Sequence, residues 1–477
     1  MSKAKRNTVI AVVCTVLVVA LLGSLVAYSS LVTSGYFLRN TVVATTENYA
    51  VDNAVFSYFF HKYYQEFNNT YGYYFPINAN VSLKGQACSL YNDGSTWFDF
   101  FAANAKSNLA NTLAFCEEAK ARGIALTEED YEDIDNAIAS IKDAAKQAGV
   151  TVSYYTHAMF GSGVNQKDLR RALELSVLAS KCNQAIIESY NYTEENFNKY
   201  IEENPSALVY AEYATFDMKT SDTLADDVKT AELLQGYLDR FAAVTTKEEF
   251  EAIAFDYLRN VAYLDDEKVT DEAIREEVAG LSTKATYVKD NATSEWAFAD
   301  DRKVGDVFTS VNEDKNTYSA YMLLAAPSLD EYNTVNVRHI LLYASTYGSD
   351  EAAKAKAEEI LAGFTGGADA FAALANEYSE DIGSNENGGL YENVGKGEMT
   401  EAFDAWIYAD GRKAGDTGIV KTEHGYHVMF FDGEGEIAWH VQADNALKNA
   451  QYSKDSAAIN EKYVTTFDDR AIFELDV

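Results

Sequence analysis

Positive charge is scarce in this chain. Its 477 residues carry 39 Lys and Arg against 74 Asp and Glu, a formal net charge of −35. Phosphates are repelled by such a balance, and no dense basic patch offsets it, so no nucleic-acid partner is expected. Cysteine is scarce too, with Cys14, Cys88, Cys116 and Cys182 as the four residues. No CxxC occurs, which argues against a zinc site and against a thioredoxin-like redox motif. Cys14 lies in an apolar run. For the others two readings stay open, a Cys88–Cys116 disulfide or three buried free thiols. HxH, HExxH and GxSxG are all missing, so no metal, no cofactor and no serine-hydrolase triad is expected.

What is present is ordinary globular composition, 47% hydrophobic and 24% charged, in a chain too long for one hydrophobic core. Lys3, Lys5 and Arg6 precede an uncharged stretch whose apolar centre runs from Val9 to Val32. About 20 apolar residues span a bilayer as a helix, and a positive flank stays cytoplasmic. The expected layout is a cytoplasmic tail (1–7), a membrane anchor (8–32) and a linker (33–45), with the rest outside the cell. The rival is a secretory signal cleaved near Ser29, after the small residues around Ala27. A lipid anchor on Cys14 is not supported, because Val13 stands where a lipobox needs a small residue.

Residues 46–204 read as a helical domain. Asn53 to Phe67 is rich in aromatics, Trp97 to Lys120 has apolar residues at helical spacing, and Leu169 to Tyr190 is periodic as well. Thr127 followed by Glu128, Glu129 and Asp130 reads as a helix start. Pro205 breaks the pattern. Beyond it lies an internal repeat: Trp296 to Asp306 matches Trp406 to Asp416 at seven of eleven positions, with a constant offset of 110. Strand-like runs, Leu208–Phe216 and Val335–Leu342, open the two copies, and helices at about 222–257 and 350–379 follow. The repeat predicts a duplicated α+β domain at 205–330 and 334–434. A helical segment at 437–477 has no core of its own and is expected to pack on the helical domain.

In the second copy Val335, Val337, His339 and Leu341 alternate with Asn336, Arg338 and Ile340, which turns His339 inward. Two closing strands, Gly418–Thr422 and Tyr426–Phe431, put His427, Met429 and Phe431 on one face and Tyr426, Val428 and Phe430 on the other. Three of the chain's six histidines (His339, His424, His427) fall in this segment. A lone inward histidine is usually a satisfied core residue; two from opposite ends of one small domain suggest a site. Met399 and Phe403, four apart, are expected on one face of a short helix.

Arg338-His339-Ile340-Leu341-Leu342, Phe371-Ala-x-Leu-Ala, Glu377-Tyr378-Ser379-Glu380-Asp381, Gly388-Gly389, Gly397-Glu-Met399, Phe403, Val420-Lys-Thr422 and Gly425-Tyr426-His427 resemble the parvulin family of peptidyl-prolyl isomerases in order and spacing. The layout as a whole is similar to extracytoplasmic foldases of the PrsA and SurA type. The resemblance implies a multidomain α and α+β protein: a helical chaperone domain like the SurA N-domain, then two parvulin-like domains, the first degenerate. It implies cis-trans isomerisation of X–Pro bonds in exported proteins, with chaperone activity. The alternative is a holdase whose parvulin domain is weak or inactive. His339, Asp381, Thr422 and His427 are the implied catalytic set, and Met399 and Phe403 the proline pocket. The family's Gly-Gly-x-Leu-Gly-aromatic pattern is altered here, so either Leu390 or Tyr391 supplies the remaining pocket wall. Tyr343 to Asp350 has no Lys or Arg, which argues against a preference for phosphorylated substrates. The implied partners are unfolded or partly folded exported proteins and the membrane, with homodimerisation left open. The first copy has no histidine; Tyr213 and Tyr321 are expected where His339 and His427 sit.

Overall fold

Aromatic and small residues at helical spacing build the first of two units. The computed structural model describes residues 29–219, 227–264, 268–312 and 316–475. The expected anchor falls almost wholly outside these, as does Cys14; among the described residues no helix is long and apolar enough to cross a membrane. The chain divides into Met1–Asn191 with Lys448–Val477, and Tyr192–Leu447.

In the first unit, Asn53–Tyr71 starts where Asp52 accepts a hydrogen bond from the Val55 N–H (3.1 Å). Its Phe56, Phe60 and Phe67 pack on Trp97, Phe101, Leu109 and Leu113 of the helix Trp97–Arg122. Thr96 and Thr127 each close a capping box, with Asp99 and Asp130, which satisfies backbone donors that would otherwise be orphaned. The residues expected as a linker are partly structural. β1 (Val42–Thr45) pairs antiparallel with β2 (Ala50–Asp52) and also with a short strand, Thr466–Phe467. Val43 and Ala44 belong to the core because this three-stranded sheet closes over the helices. Cys88, Cys116 and Cys182 are free and buried. Cys88 sits in one apolar cluster, and Cys116 and Cys182 share another.

The last residues complete this unit. Ile459 packs with Phe115, Cys116 and Cys182, while Ile472 and Leu475 join the cluster around Phe56. Buried Glu118 accepts from Lys462 Nζ and Tyr463 Oη, both at 3.1 Å. The helix Glu194–Glu203, expected with the helical domain, groups instead with the second unit.

The second unit holds two four-stranded antiparallel sheets of identical order. The first comprises β3 (Tyr210–Lys219), β4 (Ser282–Thr286), β5 (Val307–Asn312) and β6 (Thr317–Ser328), arranged β4-β3-β6-β5. The second comprises β7 (Asn333–Leu342), β8 (Leu390–Val394), β9 (Thr417–Lys421) and β10 (Tyr426–Ile437), arranged β8-β7-β10-β9. β10 runs past the expected domain end at 434, and the helix Ala438–Lys462 begins directly after it. One face of each sheet carries two helices. Phe216 and Met218 pack under Asp227–Phe241 and Lys247–Tyr257; Ile340, Leu342, Val428 and Phe430 pack under Asp350–Gly363 and Ala368–Tyr378.

The repeated motif has a structural task. Gly305 N–H donates to Leu323 O (2.8 Å) and Leu323 N–H to Asp306 O (3.0 Å); Gly415 and Asp416 do the same with Phe431, both at 2.8 Å. The motif therefore aligns Leu323 with Phe431. Counting along the strands from that anchor, Ser319 stands at the position of His427. Thr215 stands at that of His339, since Thr215 pairs with Tyr321 as His339 pairs with Met429. This corrects the expectation for Tyr213 and Tyr321, which share the face but sit at the positions of Val337 and Met429. Sequence alternation assigned the face; only the motif's hydrogen bonds fix the register.

Truncation after Gly435 should destabilise the first unit, because Ile459, Ile472 and Leu475 each contribute on the order of 1.5–3 kcal/mol of burial. Hydrogen exchange should show lost amide protection in Asn53–Tyr71 and Trp97–Arg122; unchanged protection there would contradict this packing.

Candidate active site

β7 lies between β8 and β10, with Val335, Val337, His339 and Leu341 buried on one face and Ile340 and Leu342 on the other. His339 pairs across the sheet with Met429, and His427 with Leu341. The two histidines are therefore diagonal neighbours on one face. Their rings stack 5.2 Å apart at 17°, and Nδ1 of one lies 2.9 Å from Nδ1 of the other. Exposure is 4% for His339 and 5% for His427, so both lie beneath the surface a substrate would touch.

A loop after the helix Ala368–Tyr378 brings in the carboxylate. Leu341 N–H donates to Ser379 Oγ (3.1 Å) and Glu380 N–H to Leu341 O (2.9 Å), which dock the loop on the end of β7. Asp381 Oδ2 then lies 2.9 Å from His339 Nε2 and accepts from Ser384 Oγ (2.5 Å) and Tyr391 Oη (2.9 Å). Gly383 N–H donates to Asp381 Oδ1 (3.2 Å). The loop closes where His339 N–H donates to Gly389 O (2.9 Å). Gly389 has φ +70°, and a Cβ there would stand 2.2 Å from the His339 carbonyl oxygen, so only glycine permits this approach.

At the other end, Thr422 Oγ1 lies 2.8 Å from His427 Nε2 and accepts from the His424 N–H (3.2 Å). Thr422 and Gly425 form the turn joining β9 to β10. Phe403, from the helix Glu401–Ile407, meets both imidazoles edge-on, at 5.6 and 5.5 Å. Met399 precedes that helix rather than lying in it, because Thr400 is its N-cap, and it packs half-buried in the same cluster. Of the two candidate wall residues, Tyr391 faces the site and packs on the His339 ring at 5.3 Å. Leu390 pairs with Arg338, and alternation puts it on the opposite face.

Burial and hydrogen bonding shift the titration of Asp381, His427 and Tyr391. The hydrogen bond from His339 holds the Asp381 carboxyl well below the usual carboxylate range, aided by Ser384 and Tyr391 and opposed by partial burial. Burial pushes His427 down to about 3, with His339 adding to the effect. Burial and the bond to Asp381 push Tyr391 up to about 12. With Asp381 ionised and therefore accepting only, one assignment of hydrogens satisfies every bond. Thr422 donates to His427 Nε2, His427 Nδ1–H donates to His339 Nδ1, and His339 Nε2–H donates to Asp381.

The structure thus brings His339, Asp381, Thr422, His427, Tyr391, Met399 and Phe403 together and leaves Leu390 aside. Sequence reasoning missed Ser384, which is 2% exposed and bonded to Asp381. Its position three residues after a loop aspartate is the signal that could have found it. Ser379, the loop's docking hydroxyl, was legible only as part of a motif.

Residues 321–432 match the family model described as the PPIC-type PPIASE domain. Foldase protein PrsA 1 of Listeria innocua is 35% identical over 130 residues, which take in 27% of this chain and 37% of that protein. Chaperone SurA of Chromohalobacter salexigens is 39% identical over 97 residues, 20% of this chain and 21% of that one. The chain therefore spans well under half the length of these curated relatives. The crystal structure of peptidylprolyl isomerase PrsA from Bacillus anthracis aligns with 60% of this chain and 93% of its own, at 14% identity and a TM-score of 0.19. The stretch that holds the two histidines is a domain of the PPIC, or parvulin, type, in a chain similar over that stretch to foldases of the PrsA and SurA kind.

Proposed function

We propose that this protein is a membrane-anchored extracytoplasmic foldase that isomerises X–Pro bonds in exported polypeptides. The observation that carries the reading is the continuous hydrogen-bonded line from Thr422 through His427 and His339 to Asp381, held against Phe403 in a PPIC-type domain. An X–Pro bond turns slowly because rotation breaks amide resonance, over a barrier of about 18–20 kcal/mol. No covalent step is needed to speed it. Met399, Phe403 and Tyr391 offer an apolar seat for the proline ring. Asp381 accepts from Tyr391 of that seat and keeps a side chain 17% exposed. A fixed negative charge beside the substrate carbonyl oxygen disfavours the O⁻ resonance form that gives the amide its double-bond character. It therefore favours the twisted amide over the planar one. The buried histidines are positioning residues: they orient Asp381 and hold its proton count constant. Clients in this reading are unfolded or partly folded chains emerging after export, and the apolar run 8–32 is the anchor.

A protease-coupled assay on X–Pro peptides tests the reading. Asp381→Ala and His427→Ala should each lower kcat/KM by about 10- to 100-fold. The double variant His339→Ala/His427→Ala should show no residual turnover from the first copy. Wild-type turnover equal to buffer, with aggregation of a denatured client still suppressed, would favour the holdase alternative.

Stability should depend on acid in a defined direction. His427 has a folded pKa of about 3 against an ordinary value of 6.5. Between these values the unfolded chain binds the extra proton, so stability is full above about 6.5 and falls as pH drops towards 3. The slope is at most about 1.4 kcal/mol per pH unit. Asp381, with its lowered carboxyl, adds a further loss below about pH 4. Hydrogen exchange in β10 should register the first loss between pH 6.5 and 5, and His427→Gln should flatten it. Finally, the full chain should sediment with membranes and be shaved by external protease, whereas removal of residues 1–32 should release it.

A further inference from the structure

The loop that delivers Asp381 carries an unusual neighbour. Ile382 is 93% exposed, while Asp381 on one side reaches His339 and Ser384 two residues on is 2% exposed. The loop is pinned by Ser379, Gly383 and Gly389, so the isoleucine is presented by a fixed backbone, not by a floppy one. Among the described residues this side chain belongs to none of the apolar clusters. The Asp381 side chain is reachable from solvent, 17% exposed, and Ile382 is the exposed apolar residue next to it in the chain.

The surroundings are one-signed. From Ser379 to Glu392 the chain has four carboxylates, Glu380, Asp381, Glu386 and Glu392, and no Lys or Arg. Nearby cations are engaged elsewhere: Arg338 bonds Asp432 (3.1 Å) and the carbonyls of Asn387 and Gly388, and Lys421 pairs with Asp350. Exposed Glu423 adds a further negative group at the turn beside Thr422.

We propose that Ile382 reads the residue preceding the proline, selecting a large apolar side chain there, and that the acidic rim rejects Asp, Glu or phosphorylated residues at that place. The inference rests on the isomerase reading above. An apolar side chain laid on Ile382 removes both from water, whereas a carboxylate meets like charge with no cation to pair with. On such an open contact the gain is about 3- to 10-fold in kcat/KM, below that of an enclosed pocket.

The full chain should be assayed on Ala-X-Pro-Phe peptides with X as Leu, Ala and Glu. Leu should exceed Ala by about 3- to 10-fold, and Glu should fall below Ala by a margin that shrinks in high salt. Ile382→Ala should bring the Leu-to-Ala ratio close to one, and Ile382→Val should keep most of it. Equal rates for Leu and Ala in the wild type, or an unchanged ratio in Ile382→Ala, would overturn the proposal while leaving the isomerase standing. Absence of turnover on every peptide would instead sink the isomerase reading, and this proposal with it.

Discussion

The contact between His339 Nδ1 and His427 Nδ1, 2.9 Å long, depends on two strands from opposite ends of a domain being in one register. A slip of one residue in either strand would turn its imidazole to the helix-covered face and part the pair. The contact also sets conditions on its neighbours. Two buried imidazoles offer four ring nitrogens, and each needs a partner of the right sense. Thr422 closes one end and Asp381 the other, and Asp381 in turn requires Ser384 and Tyr391 as donors. The loop 379–389, its two serines and Gly389 are consequences of that requirement.

Much of this was legible in the residue order, and the reasons differ from part to part. Helices such as Trp97–Arg122 were readable because their apolar spacing and their caps agree. Inward-facing His339 and His427 followed from alternation along two strands. Ser384 was not readable, since a small polar residue in a loop looks the same whether it faces solvent or a buried carboxylate. The choice between Leu390 and Tyr391 was equally closed, because it turns on which face β8 presents once paired with β7. The end of the helical unit at Asn191 also escaped local reasoning: the helix Glu194–Glu203 is well formed, but local signals do not say which unit receives it.

The two sheets show what a repeat in sequence does and does not carry. The segment shared between 296–306 and 406–416 makes the turn that feeds the edge strand and bonds the middle of the neighbouring one, at Leu323 or Phe431. That turn positions β5 on β6 and β9 on β10, so both copies inherit the same strand order. The chemistry lies elsewhere, at residues outside the motif. In the first copy Ser319 donates to Asp217 (2.6 Å) where the second has His427 opposite Leu341. The chain also leaves the helix differently: Lys247–Tyr257 continues into a wide helical turn, Leu258–Ala262, where the second copy turns off at Ser379.

That difference limits what a simple exchange of residues can achieve. Putting histidines at Thr215 and Ser319 would set one imidazole across from Asp217 on the strand itself, not against a loop carboxylate, because the turn after Tyr257 keeps the chain helical where the second copy leaves the helix at Ser379 to reach β7. An unpartnered ring nitrogen under the sheet costs about 1–3 kcal/mol, so such a graft would destabilise the copy before it created a site. The hydrogen-bonded line in the second copy is thus a property of strand register and loop exit together, and neither alone accounts for it.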